Sequence, residues 1–128
     1  MIDTIFVDLG DTFRVIRDDP AYSYKAKKRI CDLLGAVEEP ETFYRTVIEP
    51  RYNVYRDWAL RFYCEAPVKV LWTRFLAYDY PRERVEAAAD ELTFAYRQTK
   101  GERVVTDGGI DTIKELYARK YTLGIVSD

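Results

Sequence analysis

The sequence contains no histidine. That absence excludes a Ser-His-Asp triad, a Cys-His pair and any histidine-ligated zinc. Chemistry here must rest on carboxylates, hydroxyls, lysines, backbone amides or a hard metal ion. Cysteine is scarce too. Cys31 and Cys64 stand far apart and match no metal or redox spacing, so reduced, partly buried thiols on helices are expected. Charge of either sign is not in excess. With 20 basic against 22 acidic residues and a net charge of −2, no basic face is implied and no nucleic-acid partner is expected. No apolar run approaches a membrane span, and Met1-Ile2-Asp3-Thr4 lacks the basic n-region of a secretion signal. A soluble, cytoplasmic protein with no membrane contact is the expectation.

What is present suits a folded chain. The 128 residues fit one compact domain, or a small domain plus an incomplete second one, and 48% are hydrophobic. Tyrosine dominates the aromatics, with eleven against two tryptophans and six phenylalanines. Its apolar body and polar tip suit half-buried helix faces and pocket walls.

Two short β-branched runs bracket the chain. Thr4 to Val7 ends at Asp8-Leu9-Gly10-Asp11-Thr12, and Tyr121 to Val126 ends at Ser127-Asp128. Continuous apolar runs of this kind predict parallel strands buried on both faces. Between them the period is helical. After Asp18-Asp19-Pro20, Ala26, Ile30, Leu33 and Leu34 recur at helix spacing until Gly35. Pro40-Glu41 opens a second helix with Phe43, Val47 and Ile48, which Pro50 interrupts or kinks. Helical spacing resumes through Tyr55, Trp58, Ala59 and Phe62, and again through Val68, Leu71, Trp72, Phe75 and Leu76. Pro81 precedes a long helix over Glu83 to Thr99, closed by Gly101. Asp107-Gly108-Gly109 makes a tight turn into an amphipathic helix carrying Ile110, Ile113, Leu116 and Tyr117. A parallel pair needs a crossover of only a dozen or so residues. So much helix between two strands is most economically a helical subdomain spliced in after the first strand.

Asp8 stands at the C-terminal tip of the first strand, where open α/β sheets collect ligands. Gly10 leaves room for a phosphate or metal to approach the backbone, and the Thr12 hydroxyl is close enough to bond an oxygen. Ser127 would reach the same sheet edge if the two strands are neighbours. Taken alone, an aspartate after an apolar run is more often a turn former. Lys25, Lys27, Lys28 and Arg29 read as a solvated helix face, and the tyrosines and tryptophans from Tyr52 to Tyr80 as core and surface of the insert.

Together, Ile5-Phe6-Val7-Asp8-Leu9-Gly10-Asp11-Thr12-Phe13 and Leu123-Gly124-Ile125-Val126-Ser127, with the helical insert between them, resemble the N-terminal part of a haloacid dehalogenase-like (HAD) hydrolase. The resemblance covers the whole chain. It implies an α/β fold, with a Rossmann-like HAD core at 1–15 and 101–128, incomplete in this chain, and an inserted α-helical C1 cap at 16–100. It further implies a Mg²⁺-dependent phosphatase acting on a small phosphorylated metabolite through an aspartyl-phosphate intermediate. Asp8 would be the nucleophile and, with the Gly10 backbone carbonyl, a Mg²⁺ ligand. Thr12 would support the loop, and Ser127 would bond the phosphoryl oxygens.

Two departures from the family pattern matter. The family's phosphatases place a second aspartate, the acid and base, two residues after the nucleophile, and this chain has Gly10 there, with Asp11 next as a turn residue. The dehalogenase branch, which attacks carbon, also lacks that aspartate, so haloacid dehalogenation is one alternative. A non-catalytic, ligand-binding HAD domain is another. The family's later lysine and acidic pair lie beyond its second motif, and Lys114 and Lys120 precede that motif here. The expectation is a chain truncated after the second motif, inactive as such, whose exposed sheet edge offers a surface for self-association.

Overall fold

The computed structural model describes residues 2–126. It is mixed α/β and divides into two compact units, one formed by Met1–Asp19 with Gly101–Asp128 and the other by Pro20–Lys100. No helix among the described residues is long and apolar enough to cross a membrane.

The first unit holds four strands, β1 (Thr4–Val7), β2 (Arg14–Arg17), β3 (Glu102–Val105) and β4 (Thr122–Ile125), and the helix α6 (Gly109–Ala118). β1 and β4 pair in parallel, with Thr4 opposite Thr122 and Val7 opposite Ile125. Gly124 permits this pairing to carry an aromatic, because a side chain there would meet the Phe6 ring at 2.7 Å. β2 and β3 form a separate antiparallel pair, Arg14 opposite Val105 and Arg17 opposite Glu102. Neither strand of this second pair is expected from the sequence pattern. It also carries the first unit to Asp19, past the boundary expected at residue 15.

One expectation is overturned. β1 and β4 were expected to be buried on both faces, yet Phe6 is 68% and Ile125 67% exposed, while Ile5, Val7 and Leu123 are half-buried. Inside and outside therefore alternate. Alternation is the pattern of a sheet with one covered face, and α6 is the element packed against β4.

Gly101 closes the antiparallel pair at φ 131°, in a region that side chains avoid. A β-carbon there would also collide with the Arg17 carbonyl oxygen. Gly101→Ala is expected to cost the β2–β3 pairing about 1–3 kcal/mol. Hydrogen exchange should then accelerate at amides 14–17 and 102–105 while the helices keep their protection; unchanged exchange at those strands would contradict the assignment.

The second unit is helical, with α1 (Pro20–Leu34), α2 (Pro40–Phe43), α3 (Glu49–Phe62), α4 (Val68–Val70) and α5 (Arg82–Gln98). Pro50 does not break the second helix. Residues Tyr44–Ile48 widen into a π-turn, and α3 starts with Pro50 in its first turn. A proline cannot donate to the carbonyl four residues back, and the wider turn removes the need for that bond. A second π-turn covers Leu71–Leu76. The core joins Ile30, Leu34, Phe43, Ile48, Trp72, Leu76, Val85, Ala89 and Leu92 into one cluster, much of it between α1 and α5. Gly35 ends α1 at φ 77°, and the Arg84 side chain donates to the Leu33 and Asp32 carbonyls at 2.7 and 3.1 Å.

Both cysteines are free thiols. Cys31 is buried, and burial pushes its thiol up to about 11. Cys64, expected on a helix and partly covered, is exposed just past the end of α3.

Arg51 of α3 grips the segment after the second π-turn. It donates to both Asp79 oxygens at 2.6 and 2.9 Å and to the Leu76 carbonyl at 2.9 Å. That hydrogen bonding holds the Asp79 carboxyl below the usual carboxylate range. A depressed folded value means the stabilisation is complete above the ordinary aspartate value of about 3.9 and lost as pH falls through the folded one. Asp79 is half-exposed, so solvent screening keeps the effect small. Urea midpoints of wild type and Arg51→Met should therefore differ more at neutral pH than near pH 2. An equal difference at both would show that the ion pair contributes nothing.

Candidate functional site

The parallel register fixes where Asp8 stands. It follows Val7 directly at the C-terminal end of β1, beside the C-terminal end of β4, and the Val126 amide donates to the Val7 carbonyl at 3.1 Å. Asp8 is exposed, with its carboxylate open to solvent. The Thr12 hydroxyl donates to Asp8 Oδ2 at 3.3 Å, so the loop itself orients the carboxylate.

That loop is tightly wound. The Phe13 and Arg14 amides both donate to the Leu9 carbonyl, at 3.2 and 2.9 Å, and the Asp11 amide donates to the Arg14 carbonyl at 2.9 Å. Asp11 takes the left-handed conformation, φ 56°, which aspartate tolerates better than most residues. Its geometry is that of a turn residue. Beside Gly10 the space is open, and a β-carbon built there meets nothing within 4 Å. A ligand can therefore approach this stretch of backbone closely.

One anchor carries no motif in the sequence. The Thr106 amide donates to the Phe13 carbonyl at 2.8 Å, and its hydroxyl to the Thr12 carbonyl at 3.3 Å. Thr106 ties the Asp8–Thr12 loop to the turn that opens α6. Gly109 allows this closeness, since a side chain there would meet Thr106 Oγ1 at 2.8 Å and the Phe13 ring at 3.1 Å. The only sequence signal was position, immediately before Asp107-Gly108-Gly109.

Ser127 lies outside the described residues. Asp8, Gly10 and Thr12 are thus brought together on one loop. No group of three or more carboxylates or cysteines able to hold a metal occurs among the described residues. The donors at hand are the Asp8 carboxylate and the Gly10 carbonyl. Both are oxygen donors of the type Mg²⁺ takes, and Mg²⁺ commonly binds through one or two carboxylates while keeping several waters.

The basic cluster on α1 is largely neutralised in place. Lys27 pairs with Glu41 at 2.8 Å and Lys28 with Asp32 at 2.9 Å, while Arg29 pairs with Glu91. Three of its four cations are therefore paired. The chain matches no family model, no curated protein and no solved structure.

Proposed function

We propose that this chain carries the nucleophile loop of a HAD-like hydrolase, with Pro20–Lys100 as its inserted helical cap, acting as a phosphatase on a small phosphorylated metabolite. The observation that carries the reading is Asp8. It is a solvent-open carboxylate at the C-terminal end of a parallel strand pair, held by Thr12 and flanked by the open backbone at Gly10. Ligands of open α/β sheets gather at such strand ends.

In this reading an Asp8 carboxylate oxygen attacks phosphorus in line as the bond to the leaving oxygen breaks. Position 10 carries no acid, so the leaving oxygen takes its proton from water. A water molecule then attacks the aspartyl phosphate, releasing phosphate and restoring the carboxylate. Thr12 is a positioning residue that keeps Asp8 in its attacking rotamer, and Ser127 is assigned a hydrogen bond to the phosphoryl oxygens. Asp8 and the Gly10 carbonyl would hold Mg²⁺, which neutralises charge on the phosphate when bound.

The glycine at position 10 favours one second reading, haloacid dehalogenation, because attack on carbon with a halide leaving group needs no such acid. The longest form of the protein that its gene encodes should be assayed with an aryl phosphate and with a 2-haloacid, each with and without Mg²⁺. Phosphate release that requires Mg²⁺ supports the phosphatase. Metal-independent halide release replaces it with the dehalogenase, and turnover of neither leaves the non-catalytic reading.

A further inference from the structure

The helical unit has a pocket of ≈ 120 Å³ lined by Thr73, Arg74, Ala77, Tyr78, Tyr80 and Arg82. Its walls come from the second π-turn, the segment after it and the first residue of α5. Its chemistry is one-sided. The Arg74 side chain makes no hydrogen bond or ion pair with any described residue, and neither does the hydroxyl of Tyr78 or Tyr80. Arg82 uses only its Nε, on Glu86 Oε1 at 2.7 Å, which leaves its terminal nitrogens without a described partner. The Thr73 hydroxyl spends its proton on the Lys69 carbonyl at 2.7 Å.

Glu86 pairs with Arg82, but the other nearby carboxylate, Asp79, does not balance Arg74. Arg51 takes both oxygens of Asp79 and also lies 4.4 Å from the centre of the Tyr78 ring. The same grip on Asp79 and the Leu76 carbonyl, with the Tyr80 amide donating to the Ala77 carbonyl at 3.1 Å, holds the 76–80 segment in shape. The pocket is thus built before any ligand arrives.

We propose that this pocket binds a phosphate group, free or carried by a small metabolite. The guanidinium groups of the two lining arginines offer more N–H donors than the two oxygens of a carboxylate can use, whereas phosphate presents three or four acceptor oxygens. A volume of several waters admits one such group. The site lies wholly in the helical unit and needs nothing from Asp8, so it goes beyond the function proposed above and stands or falls apart from it.

The test is a ¹⁵N NMR titration of the full chain with inorganic phosphate, an aliphatic phosphate monoester and acetate. Saturable shifts at amides 73–82 are expected with both phosphates and not with acetate. Tighter binding of the monoester would identify a metabolite as the source, and tighter binding of inorganic phosphate the free ion. Arg74→Gln and Arg82→Gln should each weaken binding by roughly tenfold, the usual worth of a charge-assisted bond. Both side chains are exposed, so the rest of the spectrum should be unchanged. No saturable shift at 73–82, equal shifts with acetate, or affinity unchanged in both variants would overturn the proposal.

Discussion

Replacing Trp72 by alanine is expected to cost the helical unit about 3–5 kcal/mol, the usual range for deleting a fully buried tryptophan. Trp72 is 0% exposed and is the largest of the fully buried side chains. It sits in the same cluster as Ile48, Leu76, Val85 and Leu92. Its indole N–H donates to Thr93 Oγ1 at 2.8 Å, and the Thr93 hydroxyl donates in turn to the Ala89 carbonyl at 2.9 Å. Truncation therefore leaves no stranded donor, because the Thr93 proton keeps its partner. What is lost is transfer free energy and packing around the cavity. Far-UV circular dichroism in urea should show the midpoint falling by more than about 1 M at the slopes usual for small proteins. Trp58, only half-buried, serves as the comparison, and Trp58→Ala should cost clearly less. Equal losses from the two substitutions would mean that the buried cluster is not the core.

The helical unit was the most legible part of the sequence. Ala26, Ile30 and Leu34, and again Val85, Ala89 and Leu92, repeat at helix spacing, and all are buried. Gly35 signals a stop in the sequence and ends α1 in the left-handed conformation. Pro50 left two outcomes open, a break or a kink, and the local choice was a widened turn. Sequence pattern cannot separate these, since each relieves the same missing hydrogen bond.

The strands were harder. Arg14–Arg17 and Glu102–Val105 mix charged with apolar residues, and each is only four residues long. Their partners lie on opposite sides of the helical insert, so neither segment carries a local turn signal naming the other. The runs at β1 and β4 misled about burial, because a short apolar run looks the same whether one face or both are covered. Exposure of Phe6 and Ile125 is a tertiary fact. Within the candidate site, Asp8, Gly10 and Thr12 were legible because they lie within five positions of one another on a single loop. Thr106 was not, since its bonds to Thr12 and Phe13 join segments far apart in sequence.

The second large effect concerns Asp8. Asparagine has the same shape, and its side-chain oxygen can still accept the Thr12 hydroxyl proton. It lacks the negative charge that makes the carboxylate a nucleophile toward phosphorus. Asp8 is exposed, so Asp8→Asn should change stability by no more than about 0.5 kcal/mol. A loss of activity in this variant therefore reports chemistry and not unfolding. Removing a nucleophile outright lowers turnover by roughly 10³-fold or more. Thr12→Val should act more mildly, because it only frees the carboxylate to rotate.

The most direct measurement is turnover of an aryl phosphate by wild type and Asp8→Asn, in the longest form the gene encodes, with urea midpoints recorded alongside. The account expects activity to fall by roughly 10³-fold or more in the variant while the midpoint stays in place. A variant as stable and as active as wild type would contradict it, and Asp8 would then be only the residue that turns the chain at the end of its first strand.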